Sequence, residues 1–308
     1  MAVIILNKKP KPSKAKKVEG KAVPDPKKIE FEARRTIKKL QEPIQMELFD
    51  VIEEMRDKSA SDVGKQLEEI RKRYDFQISM VADQVAQNWV GKVNAWNKQK
   101  FMDNMRQALG IDIGAIVDEA MKKDLDLMIW EATTYIKTIP SYLVGRVGQR
   151  VLQHFKGEPM PENRTLRQQI KEEFKVSDGR AKVLARDQTS KMNTSLTAIR
   201  QTELGIDWYV WKTAEDERVV GRPGGLYPKI SKLHRNHYLM QNLLCQWKDP
   251  SVYSDDNGKT WKKRKPEMPQ NHPGEDIMCR CRAAPYIDIE ALKVKWAEPD
   301  IDNGEKSS

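Results

Sequence analysis

The residues best suited to chemistry lie in one short stretch near the C-terminus. All three cysteines and three of the four histidines fall within residues 234–281. They are His234, His237, Cys245, His272, Cys279 and Cys281. Residues three apart on a helix or turn face the same way, and so do residues two apart on a strand. The histidine pair 234/237 and the cysteine pair 279/281 can therefore each present two ligands to one point.

Four such ligands suit a tetrahedral zinc ion, which would contribute folding free energy to a small module with few apolar residues. The same spacing also fits two surface histidines, two small buried thiols, and a histidine that only shapes the turn before Pro273. Spacing alone leaves both interpretations open. Cys245 follows Leu243 and Leu244, and we expect it to be an apolar core residue rather than a ligand.

Signals for catalysis are weaker. The chain has no Gly-x-Ser-x-Gly nucleophile motif and no lysine-bearing phosphate loop. The triplet Glu215-Asp216-Glu217 is acidic enough to bind a metal and, with a nearby histidine, to form a hydrolytic nuclease site. An exposed loop explains it more simply, and we favour that interpretation. We expect no enzyme activity; a metal-dependent, nuclease-like enzyme acting on DNA is the alternative function.

The elements that must position these residues change character along the 308-residue chain, which has room for about two domains. From residue 29 to Gly205, apolar residues recur at helical spacing. Beyond it, β-prone runs at 206–211, 244–247 and 282–287 alternate with polar turns. The sequence predicts a mainly α protein: an elongated helical N-terminal region and a small α+β C-terminal module.

Helix boundaries follow from proline, glycine and capping residues. Pro43 predicts a kink or break in the first helix, and Gly110 predicts the end of the second. Asp178 predicts the N-cap of a sixth helix over 180–204, separate from a fifth over 166–174.

Residues 1–28 differ from the rest, with nine lysines against two acidic residues and a net charge of +7 out of +10 for the whole chain. They predict a disordered basic arm, because little apolar surface is available to offset the entropy of folding. Its function is either contact with nucleic acid or an acidic surface, or solubility alone. The candidate nucleic-acid contacts are Lys8, Lys9, Lys11, Lys14, Lys16 and Lys17. The predicted domains are therefore an arm over 1–28, a helical region over 29–180, a C-terminal domain over 181–290 and a flexible tail over 291–308.

Two classes of protein are excluded. No apolar stretch approaches the roughly 20 residues that span a bilayer, so we expect no membrane span. Three cysteines in this length are too few for a secreted disulfide scaffold.

Residues 181–287 resemble the C-terminal domain of phage Mu F-type minor head proteins, the phage head morphogenesis family. Five short segments carry the resemblance. They are Ala185-Arg186-Asp187-Gln188-Thr189-x-Lys191, Arg200-Gln201-Thr202-Glu203-Leu204-Gly205-Ile206, Trp211-x-Thr213-x-x-Asp216-Glu217-Arg218-Val219, His237 with Trp247 ten residues later, and His272-Pro273-Gly274-Glu275-Asp276-x-x-Cys279-Arg280-Cys281.

The resemblance implies a structural minor capsid protein of a bacteriophage virion, present in few copies inside the head. It would associate with the portal protein and with the major capsid or scaffolding protein during head assembly. Host cytoplasm would be its location before assembly, and contact with double-stranded DNA or ejection with it is a further implication.

Many relatives carry a Cys-x-x-Cys pair where this chain has His234-x-x-His237. The resemblance thus favours structural zinc held by His237, Cys279, Cys281 and either His234 or His272. A DNA-binding protein that uses the basic arm is another alternative.

Overall fold

The computed structural model describes residues 16–110, 121–158, 164–231 and 235–292, and the backbone of two further strands at 4–6 and 294–296. Most of the described chain is helical. The α-helices are α1 (Lys27–Glu53), α2 (Ala60–Leu109), α3 (Lys122–Lys137), α4 (Ile139–Phe155) and α5 (Leu166–Glu203). Among the described residues, no helix is both long enough and apolar enough to cross a membrane.

Helix α1 continues through Pro43, the residue that predicted a kink or break. Pro43 lies inside α1, which continues for ten more residues. Its missing N–H would have bonded the carbonyl of Lys39, and both residues are exposed, so water can satisfy that carbonyl. The neighbouring Ile44 and Leu48 are fully buried and continue the apolar face. Of the two predicted outcomes, a kink or a break, the break does not occur, because packing of this face outweighs one lost hydrogen bond.

Helix α5 is continuous where two helices were predicted. Asp178 is not an N-cap; it lies in mid-helix and forms an ion pair with Lys38 at 2.7 Å. The preceding Ser177 is fully buried and accepts a hydrogen bond from Gln41 on α1. Tertiary contacts of this kind override the low helix propensity of Gly179. The predicted end of α2 is confirmed: Gly110 follows it with a φ of +69°, a conformation that glycine adopts without strain.

By its internal contacts the chain forms two compact units, each discontinuous in sequence. Unit 1 comprises residues 1–24, 96–122 and 193–308, and unit 2 comprises residues 25–95 and 123–192. The predicted division was contiguous, with a boundary at 180/181. The difference arises because α2 and α5 are single long helices that each contribute residues to both units.

The sheet of unit 1 has four antiparallel strands: β2 (Lys17–Glu19), β3 (Trp208–Lys212), β4 (Leu244–Gln246) and β7 (Arg282–Asp288). Their order is β2-β7-β3-β4. A hairpin of β5 (Val252–Tyr253) and β6 (Lys262–Lys263) follows β4, and β1 (Ile4–Leu6) pairs in parallel with β8 (Val294–Trp296). The α+β module and three β-prone runs are thereby confirmed.

Strand β2 corrects the prediction of a disordered arm for the residues that the structure describes. Val18 pairs with Ile287 on β7, and the amide of Gly20 donates to the carbonyl of Pro285 at 2.9 Å. Val23 is buried in a cluster with Phe101 of α2. Val18 and Val23 thus pack against residues far along the sequence. The composition of residues 1–28 alone does not reveal such contacts. Lys8, Lys9, Lys11 and Lys14 lie outside the described residues.

Candidate metal centre

Strand β3 contributes two aromatic side chains to the apolar cluster around the candidate centre. Tyr209 and Trp211 alternate with Trp208 and Val210, so the first two face one side of the sheet. Both are fully buried, in an apolar cluster that contains all three cysteines. The other members are Met240, Trp247, Met268 and Ala283. Cys245 is thus the core residue that the sequence predicted.

Three side chains converge in this cluster: His237, Cys279 and Cys281. One donor atom of each lies within 4.8 Å of the other two, and all three residues are buried. His237 Nδ1 is 3.3 Å from Cys281 Sγ and 3.6 Å from Cys279 Sγ. Among the described residues this is the one group of three or more metal-ligating side chains found so close together. It could hold a metal ion.

The sequence around the cysteines explains their common direction. Cys279 and Cys281 lie just before β7 and face the cluster, while Arg280 between them turns the other way. There its guanidinium binds both carboxylate oxygens of Asp216. Met278, the residue before the pair, has a φ of +57°, so the chain turns sharply into it. The same-face prediction for the two thiols is therefore confirmed.

Backbone amides prepare one thiol to be an anion. Cys279 Sγ accepts N–H bonds from Gly274 at 3.3 Å and from Cys281 at 3.4 Å. The Cys281 thiol, with the imidazole of His237, holds the pKa of Cys279 well below its ordinary value despite burial. Burial and the neighbouring sulfur raise the pKa of Cys281. Thiolate is the form of cysteine that binds metals, so Cys279 is ready for that role.

His237 is held from its other edge by a carboxylate. Its Nε2 lies 3.1 Å from Asp276 Oδ2. Burial alone would lower the pKa of His237, but the neighbouring Asp276 carboxylate and Cys279 sulfur outweigh it and raise that pKa to about 9. A histidine with one ring nitrogen against a carboxylate and the other facing cysteine sulfurs has the arrangement typical of metal ligands.

The remaining predicted ligands have different outcomes. His272 does not belong to the group: its Nδ1 lies 2.9 Å from the hydroxyl oxygen of Tyr209, and its ring packs on Trp247. Burial beside Arg264 lowers the pKa of His272 to about 4. His234 lies outside the described residues.

Among the residues that the structure describes, the acidic triplet takes part in no cluster of metal-ligating side chains. Asp216 is engaged by Arg280, and the side chain of Glu215 contacts Gln241. The pKa of Asp216 lies well below its usual range, because Arg280 and the Arg218 amide stabilise the carboxylate. Two lysines from the predicted nucleic-acid set are described: Lys16 pairs with Glu290 at 3.2 Å, and Lys17 lies 5.0 Å from the ring centre of Trp208.

A small cavity adjoins the three donor residues. Its volume is about 40 Å³, and Arg218, Val220 and Met278 contribute to its wall beside the donors. A single water molecule needs roughly 10–15 Å³ of such space. The cavity therefore provides room for a fourth, small ligand of a bound metal.

Two features of the centre were missed from sequence. Asp276 and Gly274 both lie in the segment between His272 and Cys279. The signal that could have identified Asp276 is a carboxylate three residues before a candidate cysteine ligand, on the same turn. Gly274 has a φ of +93°, and this conformation aims its amide at Cys279.

Comparisons with known proteins add one relative. No family model and no solved structure matches the chain significantly. An uncharacterized protein of Haemophilus influenzae is 27% identical over 216 residues, which are 70% of this chain and 41% of that protein. The chain thus spans about two fifths of the length of this relative.

Proposed function

We propose that the protein is a structural minor head protein of a bacteriophage, built into the virion near the portal vertex. The observation that carries the proposal is that four of the five segments resembling this family lie in unit 1 and contact one another there. Trp247 donates its indole N–H to Gln201 at 2.9 Å, and Asp216 binds Arg280. The contact of His237 with Cys281 then joins the segment of Trp247 to the segment of Arg280.

These contacts favour a structural role, because the side chains that could contact a substrate bind one another instead. Gln201 and Trp247 are buried, and so are the imidazole of His237 and the thiol of Cys281. Residues of this kind stabilise a module rather than bind a substrate. In the proposed role that module docks on the portal protein, and the helices provide surface for the major capsid or scaffolding protein. Lysines preceding and within β2 would meet packaged double-stranded DNA, and the protein would travel from host cytoplasm into the head.

Co-purification tests the proposed role. The full chain with an affinity tag is expressed together with the portal protein of the same phage, and the control uses the portal protein of an unrelated phage. We expect the cognate portal protein to be retained and the unrelated one to be lost. Absence of any association, together with normal heads when the gene is deleted, would contradict the proposal.

We further propose that the metal of the centre is zinc and that it is structural. The donors are two sulfurs and one imidazole nitrogen, the set that zinc prefers among common metals. Cys279 accepts two amide hydrogen bonds and His237 has a carboxylate partner, so both are prepared for coordination. A bound zinc ion would replace the present contacts of His237 with the two cysteine sulfurs by metal–ligand bonds. Those bonds would link the segment around His237 to the segment that precedes β7. The fourth ligand is then His234 or a water molecule in the adjoining cavity.

Metal analysis of the purified full chain tests this, and the third cysteine provides a matched control. We expect about one zinc per chain in the wild type and in Cys245→Ala, and loss of zinc in Cys281→Ser. Cys245 is also buried and lies in the same cluster, but it is not a member of the group of three donors. Zinc-free wild-type protein after expression in zinc-replete medium would refute the proposal, as would equal loss from both variants.

A further inference from the structure

We infer that Asp276 is a positioning residue of the metal centre: its carboxylate holds the imidazole of His237 with Nδ1 facing the two thiols. This inference rests on the zinc centre proposed above and goes beyond it, because Asp276 is not one of the ligands. Its role would be to select which ring nitrogen is free to bind metal.

The two ring nitrogens of His237 have different partners. Nε2 lies 3.1 Å from Asp276 Oδ2, whereas Nδ1 lies 3.3 Å from Cys281 Sγ and 3.6 Å from Cys279 Sγ. An ionised carboxylate can accept but cannot donate, so its closeness favours the proton of the neutral imidazole on Nε2. In the neutral imidazole the lone pair is then on Nδ1, which is the nitrogen that faces the sulfurs.

Asp276 is itself fixed in place. Its Oδ1 accepts a hydrogen bond from the side-chain amide of Asn271 at 2.7 Å. Its backbone carbonyl accepts the amide N–H of Cys279 at 3.0 Å. The same residue therefore orients one proposed ligand through its side chain and another through its backbone. Its side chain is 18% exposed, and that of His237 only 8%, so little water competes for the contact.

The geometry also distinguishes Asp276 from a ligand. The carboxylate approaches the imidazole at the ring nitrogen that points away from the thiols. The group of mutually close donors includes His237, Cys279 and Cys281 but not Asp276, although carboxylates qualify for such a group. Loss of the carboxylate would allow the proton to move to Nδ1 and the ring to turn, and either change removes a ligand. Loss of such outer partners commonly weakens metal affinity 10–100-fold.

Competition between the full-length protein and a zinc-binding dye measures this effect. We expect the zinc Kd of Asp276→Ala to rise by about 10–100-fold, and that of Asp276→Asn to rise less, because the amide oxygen can still accept from Nε2. Glu275→Gln is the matched control: Glu275 is the adjacent carboxylate, but it accepts from the backbone amide of His272 instead. We expect its Kd to stay close to that of the wild type.

Cobalt substitution separates positioning from ligation and from general loss of structure. At saturating cobalt, we expect the Asp276 variants to give the same absorption bands as the wild type, because the ligands are the same. A changed spectrum at saturation would make Asp276 a ligand and overturn the inference. An unchanged zinc Kd in both variants would also overturn it while leaving the zinc centre intact. A wild-type protein that binds no zinc would instead refute the zinc centre itself, and this inference with it.

Discussion

The ion pair between Asp216 and Arg280 holds the segment that carries the two cysteines of the candidate centre. Its contribution to stability can be measured. Two nitrogens of the guanidinium donate to the two carboxylate oxygens, and the amide of Arg218 donates to Asp216 Oδ1 at 3.0 Å. Such paired, charge-assisted bonds fix geometry as well as adding energy. Arg280 lies between the two cysteines, so its anchor also sets the direction of the thiols.

The expected magnitude follows from the exposure of the two side chains. Removing one partner of a fully buried pair costs about 3–5 kcal/mol, whereas exposed pairs contribute about 0–1 kcal/mol. Here Asp216 is 34% exposed and Arg280 is 19% exposed, which lies between these limits. We expect Arg280→Ala to lower the free energy of unfolding by about 2 kcal/mol, of which about 1–2 kcal/mol is coupling to Asp216. Arg280→Lys should recover only part of it, because lysine cannot form the two parallel bonds.

A double-mutant cycle supplies the assay. Urea unfolding is measured for wild type, Asp216→Ala, Arg280→Ala and the double variant, in excess zinc and again with a chelator. The folded-state pKa of Asp216 is lowered, so the coupling is present at neutral pH and is lost as the pH falls below about 3.8, through the folded-state pKa. Additive effects at pH 7, with coupling below about 0.3 kcal/mol, would refute the reasoning.

Three further predictions concern other contacts. Trp247→Phe removes the buried hydrogen bond to Gln201 and should cost about 1–2 kcal/mol in urea unfolding; an unchanged midpoint would show that the bond contributes nothing. The pKa of His272 is about 4 when folded and 6.5 in its unperturbed state, so unfolding takes up a proton as the pH falls below 6.5. Lowering the pH from 7 to 5 should therefore destabilise the wild type by about 2 kcal/mol more than His272→Gln, and equal losses would contradict this. Leu48→Ala empties a fully buried position of α1 and should cost about 2–5 kcal/mol, whereas Met46→Ala, at an exposed position of the same helix, should cost far less.

The sequence predicted the parts of this fold that depend on local patterns. The end of α2 at Gly110 and the strands β3, β4 and β7 were identified because a glycine stop signal and β-prone runs are local. The break at Asp178 was predicted wrongly, because the buried contact of Ser177 with Gln41 lies 136 residues away in the chain. The edge strand β2 was missed for the same reason, since its partner β7 is near the other end of the sequence.

For the candidate centre, spacing identified three residues that do converge, His237, Cys279 and Cys281. Spacing could not exclude His272, because the direction in which its ring leaves the turn depends on Tyr209, a residue of a distant strand. It could not reveal Asp276 either, since a carboxylate in a polar loop has many ordinary explanations. Which side chains meet across a turn is a property of the folded backbone.

The measurement that tests the central claim most directly is X-ray absorption at the zinc edge on the purified full chain. If His237, Cys279 and Cys281 bind the metal, the first shell contains two sulfurs at about 2.3 Å and at least one nitrogen at about 2.0–2.1 Å. A first shell without sulfur, or a sample with no zinc, would contradict the account.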